Sequence, residues 1–229
     1  MDNRLFFNVA SWGYDILTDQ AVWRAQIAEV LGHVPSDGVV RRVLDIGCGP
    51  GVSAFVLGKE LGRSEIVGVD LSEKMVARAR QHHARRFAHL RNVSFEVGDA
   101  TRLRFEDGSF DLVVGHSFLY LVPDRSAVLR EIRRLLAPGG CVVLLEPNRR
   151  GSLRAAASSR FDRDLAAAGG MDAALFGTSM VLWRLVSGNV GRLDPDEVVR
   201  WMLDAGFDEA TSDATLGGLG MHCVGRVTG

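Results

Sequence analysis

The stretch Val43-Leu44-Asp45-Ile46-Gly47-Cys48-Gly49-Pro50-Gly51 decides the fold. VVRRVLDIG (39–47) is an apolar run of strand length, and PGVSAFVLGKELG (50–62) places Val52, Phe55, Val56 and Leu61 near helical spacing. The glycines therefore turn a buried strand into a helix. They also let the backbone approach a ligand with no Cβ in between. Asp70 closes the next strand nineteen residues after Gly51, where a carboxylate accepts hydrogen bonds from both hydroxyls of a ribose. Turn and acid together point to an adenosine-containing cofactor. A dinucleotide turn reads Gly-x-Gly-x-x-Gly; here the third glycine arrives one residue early and Val52 takes its place, which disfavours a nicotinamide oxidoreductase.

Working outward, SEIVGVD (64–70), VSFEVGD (93–99), SFDLVVGHS (109–117) and CVVLLEP (141–147) read as further strands. Between them, LSEKMVARARQHHARRFAHL (71–90) reads as a helix capped by Ser72. DRSAVLREIRRLLAPGG (124–140) gathers Leu129, Ile132, Leu135 and Leu136 on one helical face and is expected to stop at Pro138-Gly139-Gly140. Such alternation predicts an α/β fold, a doubly wound, mostly parallel seven-stranded sheet with helices on both faces. DPDEVVRWMLDAGF (194–207), DEATSDAT (208–215) and MHCVGRV (221–227) add a last helix and an antiparallel C-terminal hairpin. The chain reads as one domain, 1–229, with two additions: an N-terminal helical cap segment, 1–38, and an insertion, 149–193. Both exceed what a connection needs and both meet the sheet where ligands bind, so they are expected to form one cap or lid in two pieces.

With 229 residues, 47% hydrophobic, 24% charged and only six prolines, the composition is that of a folded globular protein. Cys48, Cys141 and Cys223 form no CxxC pair, which argues against a disulfide framework and a zinc knuckle and fits a reducing, cytoplasmic setting. No metal-ligand spacing occurs. The first fifteen residues carry no sustained apolar region, so no signal peptide is expected, and no apolar run is long enough for a membrane span. A net charge of −1 gives no reason to expect nucleic acid as a partner. Arg78, Arg80, Arg85, Arg86 and Arg91, with His82, His83 and His89, are expected to be the solvated face of a helix rather than an anion-binding patch.

Four motifs in order, VLDIGCGPG, VGVDLSEKMVARAR, VGDATRLRFEDGSFDLVV and LREIRRLLAPGG, make the chain resemble the class I S-adenosylmethionine-dependent methyltransferases. The likeness is closest to the subgroup of ubiquinone and menaquinone C-methyltransferases and covers residues 39–147. By that resemblance Asp45, Gly47, Cys48, Gly49 and Gly51 surround the methionine part of S-adenosylmethionine, and Asp70 binds its ribose. Leu71 and Met75 flank the adenine, and Asp99 with Ala100 meets its amino group. Phe7-x-x-x-Ala-x-x-Tyr14-Asp15 followed by Trp23-Arg24 looks like the subgroup's entry segment, whose tyrosine sits over the cofactor near the methyl. Packing of an N-terminal helix on the sheet accounts for the same aromatics.

The fourth strand should deliver Gly115 and His116 to the transferring methyl. Relatives contact the cofactor there through backbone, as Gly115 would. His116 is either a general base, since an ordinary imidazole value near 6.5 suits proton removal, or a residue whose backbone alone matters. Within Met171–Arg184, the residues Phe176, Met180, Trp183 and Arg184 are the expected substrate contacts, suited to an aromatic or lipid-like molecule; a second small core under the cap is the alternative. The resulting expectation is an enzyme moving a methyl to carbon or oxygen of a small apolar molecule (quinone-like, lipid-like or a natural product). A protein that binds S-adenosylmethionine without methyl transfer, as a regulator or non-redox cyclase, is the alternative. Thiol-based arsenic methylation resembles a cluster of exposed cysteines, which three scattered ones do not supply.

Overall fold

The apolar run that ends at the glycine turn forms β1 (Arg42–Ile46), and the turn opens α1 (Val52–Glu60). In the computed structural model, residues 26–27, 29–34, 39–158 and 170–229 are described. The chain continues through β2 (Glu65–Asp70), α2 (Glu73–Arg86), β3 (Val93–Val97), β4 (Phe110–His116), α3 (Arg125–Leu135) and β5 (Leu136–Pro147). Then come α4 (Leu153–Ser158), α5 (Gly170–Val190), α6 (Pro195–Asp204), β6 (Glu209–Thr215) and β7 (Gly220–Arg226). The strands lie in the order β3-β2-β1-β4-β5-β7-β6. β1 to β5 pair in parallel, and β7 runs antiparallel to both β5 and β6. This is the predicted doubly wound sheet with its antiparallel hairpin. The strand order reverses between β1 and β4, so the crevice at the C-terminal ends of these two parallel strands is where such sheets bind ligands.

Strand alternation sorts the core into two layers. Leu44, Ile46, Val113, Val142 and Leu144 face one side, where Val128, Leu129, Ile132 and Leu135 of α3 and Val198 and Met202 of α6 cover them. Val43, Leu112, Val114, Cys141 and Val143 face the other, under Ala54, Phe55 and Leu57 of α1 and Val76 and Ala79 of α2. Each fully buried aliphatic side chain contributes roughly 1.5–3 kcal/mol, so these layers supply most of the driving force for the fold. Caps fix where the helices begin: the Ser72 hydroxyl accepts from the Met75 amide, as expected, and Asp124 and Asp194 accept from the amides of Ala127 and Asp196.

One boundary differs from the sequence expectation. α3 ends at Leu135, short of Pro138-Gly139-Gly140, because Leu136 is already extended (φ −74°, ψ 129°) and pairs with Phe110 of β4. Pro138, Gly139 and Gly140 belong to the front of β5, where Gly139 donates to the Val227 carbonyl at 2.9 Å.

The insertion leaves and rejoins the sheet at one point. Leu193 donates to the Pro147 carbonyl at 3.1 Å and Arg149 to the Leu193 carbonyl at 2.8 Å, so α4 and α5 hang from a closed neck at the C-terminal end of β5. Arg149 and Arg150 both pair with Asp194 there, at 3.0 and 2.9 Å. Of the N-terminal segment, Ile27 and Val30 pack on the α1/α2 layer. Gln26 accepts from the Thr215 hydroxyl at 2.8 Å near the ligand end of the sheet, and the His33 carbonyl reaches Arg226 further down. Arg80, Arg85, Arg86 and Arg91 are exposed as expected of a solvated face, with Arg80 also donating to the Phe95 carbonyl at 2.6 Å. Among the described residues no helix is long and apolar enough to cross a membrane, and no group of three His, Cys, Asp or Glu stands ready to hold a metal.

Candidate functional site

The glycine turn lies at the C-terminal end of β1 with Gly47, Gly49 and Gly51 all at positive φ (72°, 51° and 94°). Two of them are also places where a side chain has no room. A Cβ on Gly47 would stand 2.7 Å from Phe118 Cβ, and one on Gly51 would stand 2.8 Å from Phe95 Cζ. The amides of Gly47 and Cys48 donate to the Val69 carbonyl on β2, tying the turn to the neighbouring strand. Asp70 completes the tie: one carboxylate oxygen accepts from the Gly49 amide at 2.9 Å, the other from the Ser72 amide at 2.8 Å. Burial pushes the Asp70 carboxyl up and those two amides pull it back. A carboxylate has about four acceptor sites, so acceptor capacity remains for ribose hydroxyls.

Asp45, directly before the turn, is fully buried, and neither of its oxygens has a hydrogen-bond partner among the described residues. Burial pushes its pKa up to about 7, opposed by the nearby Ala54 amide, which does not reach hydrogen-bonding geometry, and reinforced by the Asp70 charge. A buried, unanswered carboxylate is expensive and calls for a cation or a donor. S-adenosylmethionine brings a sulfonium and an ammonium, so the donor set fits that cofactor. Cys48 is buried and its thiol is pushed up by burial and by the charges of Asp45 and Asp70, which makes it a packing residue.

On the adenine side, Leu71 is 48% exposed, a high value for a leucine, whereas Met75 is buried. The Gly98 amide donates to the Asp70 carbonyl at 3.0 Å and brings Asp99 and Ala100 alongside. Asp99 is exposed, and one of its oxygens holds the amide and hydroxyl of Thr101 at 2.9 and 2.8 Å. The fold thus gathers Asp45, Gly47, Cys48, Gly49, Gly51, Asp70, Leu71, Met75, Asp99 and Ala100 along the C-terminal ends of β1, β2 and β3.

β4 delivers Gly115 and His116 to the same edge. Gly115 is bare for a reason, since a Cβ there would come 2.5 Å from Phe118 Cε1. The His116 side chain is half-buried, and burial together with His222 pulls its pKa down to about 3. This corrects the expectation of an imidazole near 6.5: a neutral His116 is a hydrogen-bonding group and a weak base. His222 is itself buried, pulled down to about 4, and its Nδ1 lies 3.3 Å from His33 Nε2.

After β4 the chain is held by groups that sequence reading missed. Ser117 has φ 56° and donates to the Leu145 carbonyl at 2.7 Å. The amides of Phe118, Leu119 and Tyr120 then all donate to the carboxylate of Glu146, at 3.1, 2.9 and 3.2 Å. Arg125 closes the clamp from the other side by donating to the Leu119 and Tyr120 carbonyls, at 3.3 and 3.2 Å. The signal for Glu146 was a single acid inside the apolar run CVVLLEP, because a buried carboxylate is rare unless something answers it.

The expected substrate contacts on α5 are engaged elsewhere wherever their side chains are described. Met180 is buried with Leu145, Ala156, Leu216 and Leu219 in a small third core, and Trp183 packs against it. Arg184 is buried and donates to the Asn148 carbonyl at 2.6 Å and to the Gly151 carbonyl, so it fastens α5 to the chain leaving β5 instead of facing a ligand. Phe176 lies on α5, its side chain outside the described set, and Tyr14 lies outside the described residues. Met180 thus lies in a small core, as the alternative had it, with Trp183 against it, and Arg184 is a backbone tie.

Comparison with known proteins agrees with this geometry. A family described as "Methyltransferase domain" matches residues 40–189. The chain is 43% identical over 106 residues to the arsenite methyltransferase of Aquipseudomonas alcaligenes, covering 43% of this chain and 30% of that protein. It is 35% identical over 151 residues to the demethylmenaquinone methyltransferase of Staphylococcus aureus, covering 63% of this chain and 59% of that protein. It therefore spans between about a third and three-fifths of the length of these curated relatives. Among solved structures, phosphoethanolamine N-methyltransferase 2 of Haemonchus contortus in complex with S-adenosyl-L-methionine superposes on 94% of this chain and 46% of its own, with a TM-score of 0.64 at 20% identity.

Proposed function

Since the chain belongs to the S-adenosylmethionine-dependent methyltransferase family, we propose that it transfers a methyl group to carbon or oxygen of a small, apolar or aromatic molecule. The observation that carries this reading is the glycine turn with the buried, unanswered Asp45 at its foot and Asp70 across it. When bound, S-adenosylmethionine supplies an electrophilic methyl already activated by the sulfonium charge. The protein's part is then to orient the acceptor, exclude water and hold any proton in flight. Asp45 and the turn would hold the methionine end, Asp70 the ribose, and Leu71, Met75, Asp99 and Ala100 the adenine. Gly115 and His116 would face the methyl, His116 as a neutral hydrogen-bonding imidazole.

The acceptor class follows from how the charges near that end are engaged. Glu146 is held by three amides, Arg184 by two carbonyls, and Arg149 and Arg150 by Asp194. Among the described residues, those around Leu145, between β4 and β7, are apolar side chains and two histidines held neutral by burial. Such a surface favours a neutral, largely apolar acceptor over a cationic amine. A quinone-like acceptor is in line with the menaquinone relative. Arsenite is not, because soft metalloid chemistry uses thiolates, and the three thiols here are buried and pushed up by burial.

The test is transfer of a labelled methyl from S-adenosylmethionine to a panel of phenols, hydroquinones, amines and arsenite. Label entering phenols or hydroquinones supports the reading; label entering only amines or arsenite overturns the acceptor class. Tight binding with no transfer to any of them would leave a non-transferring S-adenosylmethionine-binding protein.

A further inference from the structure

The hydrogen bonds of Glu146 go to the amides of Phe118, Leu119 and Tyr120 and not to the residues placed around the cofactor, yet it is joined to those residues by a short mechanical chain. Its carboxylate, fully buried at the C-terminal end of β5, accepts the Phe118 amide at 3.1 Å, and the Phe118 side chain fills the space that a Cβ would need on both Gly47 and Gly115. Gly47 is the first glycine of the cofactor turn and Gly115 the residue that β4 presents to the methyl. We propose that Glu146 is a positioning residue for S-adenosylmethionine: by gripping the backbone of Phe118–Tyr120 it wedges the Phe118 ring beneath the turn and holds Gly47 and Gly115 at their binding separation.

Three features support this over a plain structural role. First, the grip is two-sided, with Glu146 taking three amides and Arg125 taking the Leu119 and Tyr120 carbonyls, so the whole turn is fixed in direction as well as in place. Second, the grip begins at Ser117, whose positive φ persists only where surrounding contacts over-determine it. Third, burying a carboxylate here is unfavourable; burial pushes Glu146 up to about 7 even with three amides and Arg125 opposing. Neutral apolar residues would fill the same volume more cheaply, but only an acceptor with two oxygens can take three amides.

The inference rests on the glycine turn being the cofactor site, and the experiment separates the two. S-adenosylhomocysteine is titrated calorimetrically at pH 8 into wild type, Glu146→Gln, Glu146→Asp, Phe118→Leu and Leu135→Ala, the last being a core truncation at the opposite end of β5. Glu146→Gln turns one acceptor oxygen into an NH2 that opposes the Tyr120 amide, and the dissociation constant should rise about tenfold or more. Glu146→Asp, which keeps the carboxylate, should lie between it and wild type. Phe118→Leu should weaken binding in the same sense, and its effect should not add to that of Glu146→Gln in the double variant. Leu135→Ala should melt earlier yet bind within about twofold of wild type. In nuclear magnetic resonance spectra, the Gly47 amide signal should move in Glu146→Gln although Glu146 does not contact it. Should Glu146→Gln fail to fold, Glu146→Asp and Phe118→Leu decide. Binding within twofold of wild type in these variants, or weakening matched by Leu135→Ala, overturns the role of Glu146. No binding to wild type would instead overturn the cofactor site.

Discussion

Phe118 occupies the space that a side chain on Gly47 would need: a Cβ there would lie 2.7 Å from Phe118 Cβ and 2.9 Å from its Cγ. Gly47 also has φ 72°, so glycine is required twice over, by conformation and by contact. Gly47→Ala should therefore cost about 1–3 kcal/mol in strain and move the ring, lowering the melting temperature and weakening S-adenosylhomocysteine binding about tenfold or more. Calorimetry on the variant checks both. Wild-type affinity in a folded Gly47→Ala protein would show that the turn does not close on the ligand.

The unanswered carboxylate of Asp45 makes a stability prediction with a definite sign. Its folded pKa, about 7, lies above the ordinary value of 3.8, so the folded state binds more protons between those values. The stability linked to this group is full below about pH 4 and falls as pH rises to about 7. At about 1.4 kcal/mol per unit, the loss is of the order of 4 kcal/mol. Asp45→Asn removes the charge and keeps the shape. Without ligand, its melting temperature relative to wild type should climb between pH 4 and pH 8, while its affinity for S-adenosylmethionine drops. A difference in melting temperature that does not change with pH would contradict this account of Asp45.

Held near 3, His116 should stay neutral across the pH range in which the enzyme would work. Its imidazole resonances should therefore not titrate between pH 5 and pH 8, and His116→Gln should leave cofactor affinity within about twofold. A titration midpoint near 6.5, accompanied by a loss of turnover of about a hundredfold or more in His116→Gln, would restore the general base that the sequence suggests.

How much was legible in the sequence follows the range of the interaction concerned. The glycine turn, Asp70, the Ser72 cap and the alternating strands are written in residues close together, and all stand where expected. Glu146 acts on amides 26 to 28 residues away, and only the pairing of β4 with β5 brings them together. Arg184 misled for the same reason. Beside Trp183 it reads as a charged wall of a pocket, but its partners are carbonyls 33 and 36 residues earlier. The α3 boundary shifted because Pro138-Gly139-Gly140 marks a stop without saying that pairing with Phe110 takes the chain over sooner.

The third core gives the cap a testable inside and outside. Met180 is 2% exposed and Leu185 on the same helix is 62% exposed. Met180→Ala should cost about 2–5 kcal/mol and lower the melting temperature by several degrees, whereas Leu185→Ala should change it by about a degree or less. Equal effects at the two positions would mean that α5 does not present Met180 to Leu145 and Leu219.

Binding of S-adenosylmethionine at the glycine turn underlies everything else, and titration calorimetry on wild type and Asp70→Ala tests it most directly. Heat of binding should be seen with S-adenosylmethionine and S-adenosylhomocysteine, and Asp70→Ala, which loses hydrogen bonds to a charged acceptor worth about 1.5–3 kcal/mol, should weaken it roughly 10- to 150-fold. Saturable NADH binding with no heat from S-adenosylmethionine, or an Asp70→Ala protein that binds as wild type does, would contradict the account.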